Sequence, residues 1–211
     1  MATSPQKIHQ PRWPAFLAMG ADALLHFALP ERFSFGPRWI LFAAILLLLV
    51  PIVFSIRVGR HDIARTLALV AIGVLTVALV GSLLLLIAGL PEHKDPPRTL
   101  LLSASLMWIT NILVFALWYW ELDAHGPLGR EQGSAASAFL FPQMTRPPAE
   151  RDSSWAPDFL DYLFLAFNTS TAFSPTDTAV LARWAKAMTM LQAFLSLAII
   201  ALLAARAINL L

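Results

Sequence analysis

The sequence contains no cysteine and few charged residues, and each shortage excludes a class of protein. Without cysteine there can be no disulfide bond, thiolate nucleophile or cysteine-ligated metal. Asp, Glu, Lys and Arg make up only 13% of the 211 residues, whereas soluble domains carry about a quarter. The formal net charge of +2 provides no polybasic surface. A soluble enzyme is therefore excluded, and we expect no nucleic-acid partner.

Long apolar runs occupy the positions that charged residues would take in a soluble protein. Four segments each contain at least eighteen consecutive uncharged residues, enough to cross the hydrocarbon core of a bilayer. These segments are 39–56, 66–90, 99–120 and 178–211. We predict an all-α integral membrane protein with four transmembrane helices. We place it in the lipid bilayer of the bacterial inner (plasma) membrane as a multi-pass protein.

Two shorter apolar segments complete the predicted fold. Residues 14–30 are too few to span, and they predict an interfacial helix within an N-terminal segment, 1–38. Asp22 and His26 lie one turn apart in it, and this spacing predicts a local hydrogen-bonded pair. Residues 158–170 follow a polar loop and predict a re-entrant half-helix before the last span. The remaining units are a hairpin of two spans, 39–90, and a unit, 99–211, that holds the loop 121–157, the half-helix and the last two spans.

A polar turn follows the predicted half-helix and reads Thr169-Ser170-Thr171-Ala172-Phe173-Ser174-Pro175-Thr176-Asp177. Potassium channels carry Thr-x-Thr-Thr-Val-Gly-Tyr-Gly-Asp after their pore helix, and Thr169, Thr171 and Asp177 coincide with it. Some simple bacterial potassium channels also have a Trp and a basic residue where this chain has Trp184 and Lys186. The unit 99–211 therefore resembles the pore module of the tetrameric potassium channels, with a degenerate filter.

The departures from the channel pattern concern the filter itself. A potassium filter is a ring of backbone carbonyls held by glycines. Here Ser174 and Thr176 replace the glycines and Pro175 replaces the tyrosine, and proline restricts both its own backbone and the residue before it. We therefore expect no potassium-selective filter. A shared pore of this kind needs four copies, so the resemblance implies a homotetramer.

Two further stretches, Trp-Tyr-Trp-Glu-Leu-Asp at 118–123 and Phe-Ser-Pro-Thr-Asp at 173–177, resemble a bacterial family of small membrane proteins without an established activity. Two functions stay open. The first is an ion-channel-like or permease-like protein that lacks a potassium-selective filter. The alternative is a non-conducting membrane scaffold or accessory subunit, which would have an unidentified membrane protein partner.

Polar residues in apolar surroundings supply the candidate sites. The pore-turn candidates are Thr169, Ser170, Thr171, Phe173, Ser174, Thr176 and Asp177. Their hydroxyls could contact an ion, but we favour capping of the half-helix and of the last span. Asn111 and Gln192 lie at mid-membrane depth, where amides usually bond across helices, so we favour a clamp between the last two spans over a permeation role.

Glu121, Asp123 and His125 offer two carboxylates and an imidazole just beyond the third span. A metal or hydrolytic site needs three convergent ligands, and alternating positions converge only in an extended segment. An interfacial charge cluster is the interpretation we favour, so we expect no metal, no cofactor and no enzymatic activity.

The charged flanks do not settle the orientation. Arg57, Arg60 and Arg65 favour a cytoplasmic first turn, which would place the N-terminus outside. The channel resemblance demands the opposite, with the loop 121–157 outside. Counting all basic residues gives seven inside for the channel-like orientation and eight for its inverse. We favour both termini inside, because a re-entrant module of this kind enters from the external face.

Overall fold

The computed structural model of the chain describes residues 10–34, 36–89, 96–132, 136–147, 150, 155–171 and 177–208. The helices are α1 (Trp13–Phe27), α2 (Trp39–Arg57), α3 (His61–Gly89), α4 (Pro97–Leu122), α5 (Gly126–Gln132), α6 (Phe159–Thr171) and α7 (Arg183–Ile208). Strands β1 (Phe139–Leu140) and β2 (Ala179–Val180) pair antiparallel. Short 3-10 turns occupy Glu31–Phe33, Asp123–His125 and Pro142–Thr145.

Four helices are long and apolar enough to cross a membrane, namely α2, α3, α4 and α7. They correspond to the four predicted spans. The last helix begins later than predicted, at Arg183 instead of 178. The reason is the short sheet, because β2 pairs with β1 and the Leu181 amide then donates to the Ala138 carbonyl at 2.8 Å.

Helix α4 lies at the centre of the bundle, where it contacts α1, α3, α6 and α7. The side chains of Phe115, Tyr119 and Trp120 in this helix are fully buried. Helices α2 and α7 lie at the periphery and expose large apolar side chains such as Phe54 and Phe194. An apolar outer surface of this kind suits the hydrocarbon core of a bilayer.

Helix α1 packs along the bundle. Near its end, Phe27 contacts Phe42 at the start of α2, with ring centroids 6.4 Å apart. Near its start, Phe16 shares a cavity wall with Ile52 and Ile56 at the end of α2. The two helices are therefore antiparallel, whereas a helix in the plane of the interface would cross the spans steeply. The predicted interfacial placement of this segment differs from the packing found.

One end of the bundle is called the connector end here. At this end α1 begins, α2 turns into α3, and residues 123–157 join α4 to α6. Gln10 lies there, since its amide donates to Glu131 and its side chain to the Pro157 carbonyl. Helix α7 runs away from this end and finishes at Ile208. The first and last described residues are thus at opposite ends of the bundle, whereas the sequence predicts both termini on one side of the membrane.

Helix α6 coincides with the predicted half-helix and packs between α4 and α7. Reciprocal capping by two carboxylates starts it. Asp158 Oδ1 accepts from the amides of Leu160 and Asp161, and Asp161 Oδ2 accepts from the Asp158 amide at 2.8 Å. Such an arrangement satisfies amides that the first helical turn leaves without partners. The loop 121–157 contains structure of its own, because α5, β1 and a 3-10 turn lie within it.

Candidate functional site

Gln192 is the centre of a buried polar cluster between α4, α6 and α7. Its Nε2 donates to the Ala166 carbonyl at 2.7 Å and to Ser170 Oγ at 3.0 Å, and its Oε1 accepts from Tyr119 at 2.6 Å. Asn111 Nδ2 donates to Ser170 Oγ and to the Gln192 carbonyl. Ser196 closes the cluster by donating to the Ser170 carbonyl at 2.6 Å. The two predicted mid-membrane amides therefore lie in one network within a single chain, which we call the clamp.

The pore-turn candidates divide into three groups. Thr169 and Thr171 donate their hydroxyls to carbonyls of their own helix, those of Leu165 and Asn168. Ser170 is buried in the clamp, and Asp177 is exposed. Phe173, Ser174 and Thr176 lie outside the described residues. Among the described hydroxyls of this turn, each threonine and serine of α6 is thus engaged within the chain.

Asp123 joins the end of α4 to the rest of the connector end. Its carboxylate is fully buried and accepts from the Ser137 hydroxyl at 2.7 Å, from the Ala138 amide at 2.6 Å and from the Tyr162 hydroxyl. Burial raises the pKa of Tyr162 above its usual range, so this hydroxyl stays protonated and donates. A buried carboxylate is tolerated when hydrogen bonds of this kind replace its hydration.

Arg130 of α5 connects this helix to the end of α4. Its Nη1 donates to the carbonyls of Trp120 and Asp123 at 2.8 and 2.9 Å, and its Nε donates to Gln10 Oε1. The guanidinium carbon lies 4.2 Å from the centre of the Trp120 ring and 5.0 Å from that of Tyr162. A cation held between aromatic faces gains a favourable electrostatic contact that does not need an ion pair.

The predicted metal-ligand candidates do not converge. Asp123 faces Ser137 and Tyr162, whereas Glu121 and His125 line a cavity on the other side of the chain. The segment is a turn and not an extended strand, since Ala124, His125 and Gly126 all have positive φ. Within the described ranges, no group of three His, Asp or Glu side chains is placed to hold a metal.

Asp22 and His26 bond to different partners. Asp22 is buried and interacts with Thr110 of α4, while the His26 Nε2 lies 3.0 Å from Ser34 Oγ. A local pair within α1 is therefore not what their spacing produces. Instead, the two residues connect α1 to α4 and to the segment that precedes α2.

Several residues of this region could not be found by sequence reasoning. Tyr162 and Ser137 are ordinary residues in an apolar helix and a small-residue loop, and Arg130 is one of several loop arginines. Their partners lie up to 120 residues away in the chain. Comparison with protein-family models, with curated proteins and with solved structures gives no match to this chain.

The clamp predicts a stability effect. Replacing Gln192 by Leu should lower the free energy of unfolding by about 1–3 kcal/mol, because it leaves the Tyr119 hydroxyl and the Ala166 carbonyl buried without their partner. Thermal unfolding in detergent measures the change. Thr189→Val is the matched control, since that hydroxyl donates to the Lys186 carbonyl of its own helix. Equal melting temperatures of the two variants would show that the clamp does not stabilise the packing of the helices.

The Asp123 contacts predict an effect on the connector. Asp123→Asn should destabilise the protein by about 1.5–3 kcal/mol, because an amide cannot accept from all three donors at once. Limited proteolysis should then cleave the 133–157 segment faster than in the wild type. Asp177→Asn serves as the control, because Asp177 is exposed. Unchanged proteolysis of Asp123→Asn would contradict the prediction.

Proposed function

We propose that the protein is a non-conducting multi-pass protein of the bacterial inner membrane, which acts as a scaffold or accessory subunit for a membrane protein partner. The observation that carries the proposal is the closed clamp. A conducting path at this depth needs polar groups directed to a shared axis. The side chains of Asn111, Ser170 and Gln192 instead bond to groups of the same chain and are buried in it, and only the Asn111 Oδ1 atom of these three side chains has no hydrogen-bond partner among the described residues.

The distribution of basic residues also supports a non-conducting protein. Eight described basic residues lie at the connector end: Arg12, Arg57, Arg60, Arg65, Arg130, Arg146, Arg183 and Lys186. Four lie at the opposite end: Arg32, Arg38, Arg98 and Arg206. Basic flanks are retained in the cytoplasm, so the connector end is expected there. The pore module of a cation channel has the inverse orientation, with its half-helix entering from outside.

A channel-like or permease-like protein is the second candidate. It is favoured by the order of elements, in which the short helix α6 stands between α4 and α7 and contacts both. Potassium selectivity is not part of this candidate, because Ser174, Pro175 and Thr176 stand where the filter needs glycine and tyrosine.

The mass of the protein in lipid nanodiscs, combined with ion flux in liposomes, separates the two candidates. For a scaffold we expect a monomer or dimer and no flux above that of empty liposomes. A tetramer whose flux changes on substitution of Ser174, Pro175 or Thr176 would overturn the proposal and establish the second candidate. Ion flux by the purified protein alone would also defeat the scaffold.

The orientation can be tested with single cysteines, because the chain has none of its own. Asp177 is exposed at the connector end and Glu31 is exposed at the opposite end. Asp177→Cys should react with a membrane-impermeant maleimide only after spheroplasts are permeabilised, whereas Glu31→Cys should react in intact ones. The reverse pattern would place the connector end outside, as in a cation channel.

A further inference from the structure

A polar cavity of about 190 Å³ lies at the connector end, outside the clamp and the Asp123 contacts. The start of α1, the end of α2, the start of α3 and the end of α4 surround it, with α5 on the remaining side. Charged and polar side chains line it: Arg12, His61, Asp62, Arg65, Trp120, Glu121 and His125. A cavity with this composition is unusual in a bundle whose other internal contacts are mainly apolar.

The cavity wall holds buried donors that have no partner among the described residues. They are Arg65 Nε and Trp120 Nε1, together with one ring nitrogen of His61, Nδ1. Trp120 is fully buried. The N–H groups of arginine and tryptophan can only donate, so they need an acceptor and cannot satisfy each other. Buried polar groups in folded proteins are nearly always hydrogen-bonded. A group with several acceptor atoms is therefore what this wall would bind.

The charges around the cavity favour an anion. Two carboxylates line the cavity: Glu121 is only 8% exposed, whereas Asp62 is exposed. Three arginines, Arg12, Arg65 and Arg130, act electrostatically on Glu121, and two of them, Arg12 and Arg65, line the cavity itself.

Gly126 lies beside two of these groups, Glu121 and Arg65. Its φ is +83°, a conformation that favours glycine. A Cβ atom at this position would lie 3.4 Å from Glu121 Oε2 and 3.6 Å from Arg65 Nε. The glycine thus allows the carboxylate and the guanidinium to approach the same point on the edge of the cavity.

We propose that this cavity binds a phosphate group, with Arg12, Arg65 and Trp120 as its donors. A tetrahedral oxyanion presents acceptors in several directions and matches arginine donors well. The group can belong to a phospholipid or to free phosphate. An adjoining groove continues the cavity between α1 and α2, where Phe16, Val53 and Ile56 form an apolar wall. A phospholipid would place its headgroup in the cavity and its chain along this wall. The inference does not depend on whether the protein conducts ions.

Arg65→Gln tests the proposal, with Arg60→Gln as its control. Arg60 precedes the same helix but is exposed and does not line the cavity. Wild type and Arg60→Gln should retain phosphorus-containing lipid through purification, detected by native mass spectrometry, or should bind inorganic phosphate in calorimetry after delipidation. Arg65→Gln should bind at least about tenfold more weakly, because it loses a charge-assisted hydrogen bond and its positive charge.

The two arms distinguish the sources of the phosphate group. Retained lipid that is lost in Arg65→Gln, with no calorimetric response to inorganic phosphate, identifies a lipid headgroup. A response to inorganic phosphate that exceeds the response to chloride at equal ionic strength identifies a free anion. If Arg65→Gln fails to fold, Arg12→Gln replaces it, since Arg12 lines the same cavity from α1. Equal lipid content in all variants together with no response to phosphate would overturn the proposal.

Discussion

The structure of the connector end depends on one buried carboxylate, whose hydration is replaced by hydrogen bonds from the protein. Asp123 has no exposed surface, and its three donors come from the connector and from α6. Moving an ionised carboxylate out of water is costly unless hydrogen bonds compensate it. Meeting that requirement holds Ala138 next to α4, and the Ala138 carbonyl then accepts from Leu181, ahead of α7. One interaction thereby couples α4, α6 and the start of α7.

The turn that follows Asp123 shapes the cavity. The chain reverses after α4 through Ala124, His125 and Gly126, all with positive φ. Left-handed backbone costs an L-residue about 1–2 kcal/mol, so the turn needs compensation from its surroundings. Arg130 supplies part of it by donating to the Asp123 carbonyl and by contacting the Trp120 ring. Because the chain returns along α4 in this way, α5 closes one side of the space that Arg65 and Glu121 share.

The positions of the four long helices and of the short helix α6 can be predicted from the sequence alone, because each depends on a local property of the chain. Uncharged runs define the helices that could cross a membrane, and the Asp158 and Asp161 carboxylates mark the start of α6. The position of α1 could not be predicted, since fifteen residues of moderate apolarity suit either an interface or a groove between helices. Its antiparallel packing on α2 moves Arg12 to the connector end, so that eight of the twelve described basic residues lie there. The turn at Ala124 and His125 carries no glycine at those two positions to indicate it.

The role of a polar residue at membrane depth cannot be read from the sequence, for a physical reason. Hydrocarbon offers no hydrogen bonds, so a hydroxyl or amide in it must face either a water-filled path or another protein group. Sequence shows only that such groups are present, and the channel resemblance and the helix clamp both account for Thr169, Ser170 and Gln192. The hydrogen-bond partners of these side chains show how the chain uses them. In this chain Gln192 uses its carbonyl, its amide and its backbone oxygen on three neighbouring residues of the same molecule. A residue engaged with three neighbouring residues stabilises the packing of α4, α6 and α7 against one another.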